Sequence, residues 1–151
     1  MKDHLRDYVI AAFRFYARNG RSSQKYKQEI YEEALEEYKK REPRKGTGNS
    51  AESAVMSAEK AVEDKISSIK DMEAVELTLA EIRGNPEKYY GMFRVIEIVY
   101  FTDANLDLNK GDIKDRIYKA EFDTHISERN IYRYLKKARI MFAEKRGLRI
   151  T

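Results

Sequence analysis

From Ala51 to Ile82 the chain has no proline and no glycine, and its apolar residues recur at gaps of three or four almost throughout. They are Ala51, Ala54, Val55, Ala58, Val62, Ile66, Ile69, Met72, Val75, Leu79 and Ile82. That spacing is one face of an α-helix, so the stretch predicts a single amphipathic helix of roughly eight turns. So long a helix is not stable alone in a small protein, because most helical stability comes from packing. It must lie along another helix, of this chain or of a second copy, and it is the natural element for a homodimer through 51–82. The heptad pattern is not clean, so a long coiled coil is not favoured.

The rest of the chain is punctuated just as sparsely, with two prolines and seven glycines in 151 residues. An all-α fold is expected: a helical scaffold with a long central helix and a C-terminal helix-turn-helix. Leu5, Tyr8, Val9, Ala12, Phe13 and Tyr16 predict a helix over 3–18, stopped by Asn19-Gly20. A second helix starts at Ser22 or Ser23 with the stripe Tyr26, Ile30, Ala34, Tyr38. Its four glutamates (Glu32, Glu33, Glu36, Glu37) before Lys39, Lys40 and Arg41 read as a solvated face in dipole-favourable order. Pro43 to Ser50 is a linker, and Ser50 is the expected N-cap of the long helix, which Gly84-Asn85-Pro86 ends.

Residues 87–102 are the greasiest segment and predict the central core helix, with Tyr89, Tyr90, Phe93, Val95, Ile96, Ile98, Val99, Tyr100 and Phe101 inward. A polar turn follows with Leu106 and Leu108 as anchors. A helix then begins at Gly111 or Asp112, with Ile113, Ile117, Ala120 and Phe122 on its apolar side. The expected organisation is a helical hairpin over 1–42, the linker 43–50, the long and core helices over 51–108, and a DNA-binding module over 109–151.

Several function classes find no support. No apolar window approaches the length of a membrane span, and Asp3, Asp7 and Arg14 interrupt any signal-peptide core. Cysteine is absent, which excludes disulfides and thiolate metal sites and fits a cytoplasmic protein. The glycines of 43–50 lack the spacing of a phosphate loop. His4 and His125 are the only histidines and sit at opposite ends, so no metal site is expected. No cofactor or catalytic constellation is expected either, and the reading is not that of an enzyme.

Charge is segregated. Residues 109–151 hold twelve Lys/Arg and six Asp/Glu, net +6, whereas 50–108 hold six and twelve, net −6. A basic C-terminal module attracts a polyanion that the acidic middle repels.

The last helix carries the chemistry. Ser127 is its expected N-cap, Gly147 its C-cap, and Ile131, Leu135, Ala138 and Phe142 its core stripe, with Ile126 stapled to it. Glu128, Arg129, Tyr132, Arg133, Lys136 and Arg139 then face outward, flanked by Asn130 and Lys137. The second helix of a helix-turn-helix enters the major groove by its N-terminal residues. Arg pairs bidentately with guanine, and Asn with adenine. Arg129, Asn130, Tyr132 and Arg133 are therefore the candidate base contacts. Ser127, Lys136, Lys137 and Arg139 are the candidate phosphate contacts, and the helix N-terminus is a further phosphate position.

From Tyr89 on, the order is an apolar helix ending Val95-Ile-Glu-Ile-Val-Tyr-Phe101, a loop, a short helix, then Ile126-Ser-Glu-Arg-Asn-Ile-Tyr-Arg-Tyr-Leu-Lys-Lys-Ala138. It resembles the sigma-factor region 4-type helix-turn-helix, and within it the ArpU-like phage and prophage late transcriptional regulators. That resemblance implies a transcriptional regulator that binds double-stranded DNA, with RNA polymerase as a second partner. The usual spacing puts Glu121 where a small residue stands and His125 where a glycine stands, so a longer turn or an extended first helix is expected. Two other classes share these features: a DNA-packaging protein like a small terminase subunit, and a helical interaction protein without nucleic acid.

Overall fold

The computed structural model describes residues 3–41 and 50–149, and among these it is all-helical with no strand. Helix α1, His4–Arg18, begins at Asp3, whose carboxylate accepts from the Arg6 amide at 2.9 Å. It ends at Asn19, followed by Gly20 at φ +85°. Helix α2 is Ser23–Arg41. Glu76 caps its start from another helix, accepting the Ser23 amide at 2.8 Å and the Ser23 hydroxyl at 2.5 Å. The linker expected over 43–50 and its N-cap lie outside the described residues, apart from the backbone of Ser50.

The expected single helix over 51–82 is two helices, α3 (Ser50–Asp64) and α4 (Ile66–Arg83). At Lys65 the backbone leaves helical geometry (φ −106°, ψ 15°), and its amide bonds Val62 at 3.0 Å. The two halves serve different neighbours. Ala54 and Ala58, the buried residues of α3, belong to the layer in which α3 runs against α2. In α4, Ile69, Met72, Val75, Leu79 and Ile82 are buried, and α4 packs on α1 and on the C-terminal helix. From Ile69 on, the α4 part of the stripe is thus covered within the chain, while Ile66 beside the break stays exposed.

The expected helix over 87–102 also starts late. Asn85–Tyr90 is a loop, Gly91 takes φ +74°, and helix α5 runs Met92–Ile96 into a π-helical segment, Glu97–Phe101. In this segment Ile98, Val99, Tyr100 and Phe101 are all buried in succession. Tyr90, expected inside, is 74% exposed, whereas Tyr89 beside it in the loop is buried. Leu106 is exposed and Leu108 half-buried.

Arg14 of α1 is only 4% exposed. Its Nη1 donates to the carbonyls of Tyr100 and Thr102 at 3.1 and 2.9 Å, and its Nη2 to those of Asp103 and Leu106 at 2.6 and 2.7 Å. One guanidinium therefore ends the π-helical segment and shapes the following loop, supplying donors to carbonyls with no helical partner. Helices α6 (Asp112–Thr124) and α7 (Glu128–Arg146) complete the chain. Phe13, Met92, Tyr100, Ile117, Ile131 and Phe142 share one core with α4.

Candidate nucleic-acid interface

The turn between α6 and α7 is His125-Ile126-Ser127 alone; of the two expected alternatives the longer turn is absent, and the first helix instead extends to Thr124. His125 occupies the left-handed region at φ +60°, the conformation that glycine reaches without strain. Its amide donates to the Glu121 carbonyl at 2.9 Å, and the Ile126 amide to the Thr124 hydroxyl at 3.2 Å. Glu121 reaches across the turn, and its carboxylate accepts from the Glu128 amide at 3.3 Å. Both residues that seemed misplaced thus have a task. The first free amide of α7 already faces a carboxylate.

Ser127 is the N-cap, its hydroxyl accepting from the Asn130 amide at 3.3 Å. Ile131, Leu135, Ala138 and Phe142 are buried and dock α7 on the core. That docking exposes Arg129, Asn130, Tyr132, Arg133, Lys136 and Lys137 together on the first half of the helix. Arg139 departs from the expectation of a free phosphate contact. It is half-buried and lies against the Tyr100 phenol, whose pKa burial raises while the Arg139 charge opposes the rise.

The cations of α7 fall into two groups. Near its C-terminus, Lys145 meets Glu81 at 2.6 Å, and Arg146 meets Asp71 at 2.6 Å. The Tyr8 hydroxyl donates to the same Asp71 oxygen at 2.7 Å, so α1, α4 and α7 meet at one carboxylate. The hydrogen bond to Asp71 also raises the Arg146 pKa, against desolvation. Among the described residues no ion pair engages Arg129, Arg133, Lys136 or Lys137. The acidic scaffold therefore neutralises the end of α7 that holds the fold and leaves its beginning charged.

Outside α7, α6 exposes Tyr118 and Phe122, the latter at 80%. Phe122 was expected inward, but Ile117 and Ala120 are buried from α6, with Ile113 half-buried against the core. Sequence reasoning missed Lys88, which lies in the loop before α5 and beside Arg133, Lys136 and Lys137. Nothing in its local sequence signals this, since the contact spans more than forty residues of chain. No match to this chain was found among protein-family models, curated proteins or solved structures. Among the described residues no helix is long and apolar enough to cross a membrane.

Proposed function

We propose that the protein is a sequence-specific double-stranded DNA-binding regulator of transcription, with the first half of α7 read into the major groove. The observation that carries this is the exposed group of Arg129, Asn130, Arg133, Lys136 and Lys137, held on one rigid helix beyond a three-residue turn. Leaving four cations without carboxylate partners beside an acidic scaffold keeps them available to a polyanion. Arg129, Asn130, Tyr132 and Arg133 read base edges, while Lys136 and Lys137 hold phosphates. The regulatory role, acting on RNA polymerase in a phage or prophage setting, rests on the resemblance of Val95–Phe101 and Ile126–Ala138 to the late regulators.

Selection from random duplex DNA, followed by binding at two salt concentrations, tests the reading. An enriched motif is expected, and Arg129→Ala or Arg133→Ala should each relax discrimination at one position by about 1–3 kcal/mol. Strong binding with no motif would replace the regulator by a packaging protein. Failure to bind any duplex at low salt would leave a protein-interaction module.

A further inference from the structure

Between α7 and the Asn85–Tyr90 loop lies a groove whose floor is apolar and whose rim is cationic. Tyr89, Tyr134 and Ile140 form the floor, and Lys88, Arg133, Lys136 and Lys137 stand around it. The loop is fixed, not draped. The Tyr134 hydroxyl donates to the Tyr90 carbonyl at 2.8 Å, and the amides of Tyr89 and Met92 bond back to Asn85 and Tyr89, both at 3.0 Å. Gly91 presses on the turn before α7 so closely that a Cβ there would stand 2.5 Å from Ile126 Cδ1. Lys88 lays its chain along the floor, with Nζ 5.4 Å from the centre of the Tyr89 ring.

Among the described residues none of the four rim cations is in an ion pair. Glu81, whose carboxyl is held below its usual range first by the Lys145 hydrogen bond, also feels the charges of Lys137 and Lys88. Glu81 is already bound to Lys145, so the rim keeps its excess of positive charge.

We propose that this groove grips the sugar-phosphate backbone of the strand bordering the groove that α7 reads, with Lys88 a phosphate contact supplied from outside the α6–α7 unit. The inference rests on the DNA-binding reading above. Lys88, Lys136 and Lys137 around an apolar floor match the alternation of phosphate and deoxyribose, while Arg133 remains the base reader assigned above. Backbone contacts of this kind fix a helix's register in the major groove without reading sequence. A cation on a clamped loop loses less freedom on binding than one on a mobile segment.

The test is to measure affinity against salt for the wild-type chain, Lys88→Ala, Lys137→Ala and the control Lys65→Ala, on a selected and a random duplex. Lys88→Ala should weaken both duplexes by a similar factor and reduce the slope of log K against log salt by about 0.9, the share of one phosphate contact. Lys65→Ala, at the α3–α4 bend, should match wild type. An unchanged slope in Lys88→Ala while Lys137→Ala lowers it removes Lys88 from the backbone contact and overturns the inference but leaves DNA binding standing. Loss confined to the selected duplex also overturns it, making Lys88 a base reader. If the wild-type chain binds neither duplex, both readings fall.

Discussion

Arg14, Glu121 and His125 each do something their residue type does not announce. Arg14 sits at a core position of α1, between Phe13 and Phe15, where the periodicity of the sequence reads only an interrupting charge. Its four carbonyl partners are scattered from Tyr100 to Leu106, far along the chain, so no local pattern could reveal them. Burial lowers its pKa, and the charges of Arg116 and Arg18 add to this, but arginine keeps its proton at any ordinary pH. Arg14→Met fills the same volume and strips every donor. It should destabilise the fold, each buried carbonyl left without a donor costing about 1–3 kcal/mol, read as a lower urea midpoint with unchanged m. Arg14→Lys should recover only part of the loss, because one ammonium cannot span two pairs of carbonyls. Glu121 and His125 teach the reverse lesson. Judged by type they contradict a tight turn. Judged by geometry, one caps α7 and the other accepts a left-handed φ of +60°, a strain that the turn's hydrogen bonds hold in place.

Among elements, α7 was the most legible, since its N-cap, its C-cap and its core stripe all carry local signals: Ser127, Gly147 and the Ile131–Phe142 spacing. Those same signals fix which side chains face outward, so the candidate reading face was legible too. The bend at Lys65 was not. Apolar gaps of three and four persist across it, because periodicity reports which face is greasy and not whether the axis changes direction. No proline or glycine marks the place, and the change of neighbour from α2 to α1 and α7 is a tertiary fact. Burial of every residue from Ile98 to Phe101 was legible as greasiness alone, and the π-helical backbone was not. The Asn85–Tyr90 loop and α7 depend on one another through Gly91, where two demands coincide: a φ of +74° and the approach of Ile126. Gly91→Ala should cost about 2–4 kcal/mol, the sum of a left-handed penalty and an overpacked contact. If the loop is the clamp inferred above, duplex affinity should also fall in conditions where the variant is fully folded. A variant as stable as wild type would mean that the loop yields to Ile126 without cost.

At the scale of the whole molecule, the chain divides between a dense core and a thin α2–α3 layer. Nearly all the buried apolar side chains lie in α1, α4, α5, the π-helical segment, α6 and α7. Along its 19 residues α2 buries only Ser23, and α3 buries only Ala54 and Ala58. Tyr26, Ile30, Leu35 and Tyr38 are half-buried, while Val55 and Met56 are exposed. The two helices face mainly each other and reach the main core through few side chains, Tyr26 edge-on to Phe15 among them, so this layer gains far less from burial than α4 or α7. Its opening free energy should be correspondingly low. Native-state hydrogen exchange should therefore show the amides of α2 and α3 exchanging through a cheap local opening, and those of α4, the π-helical segment and α7 only near global unfolding. The outcome also decides how a dimer could form. A homodimer through the whole stripe from Ala51 to Ile82 would need α4 to give up core contacts with α1 and α7, at a cost comparable to unfolding. A dimer through α2 and α3 needs no such exchange, because their apolar atoms are already near solvent. Protection of the layer that rises with protein concentration, alongside a doubled mass in sedimentation, would assign dimerisation to α2 and α3. Protection that is low and independent of concentration would leave the layer uncovered in solution. DNA binding would then fall to one copy of α7, and the selected motif should be a single half-site with no palindromic repeat.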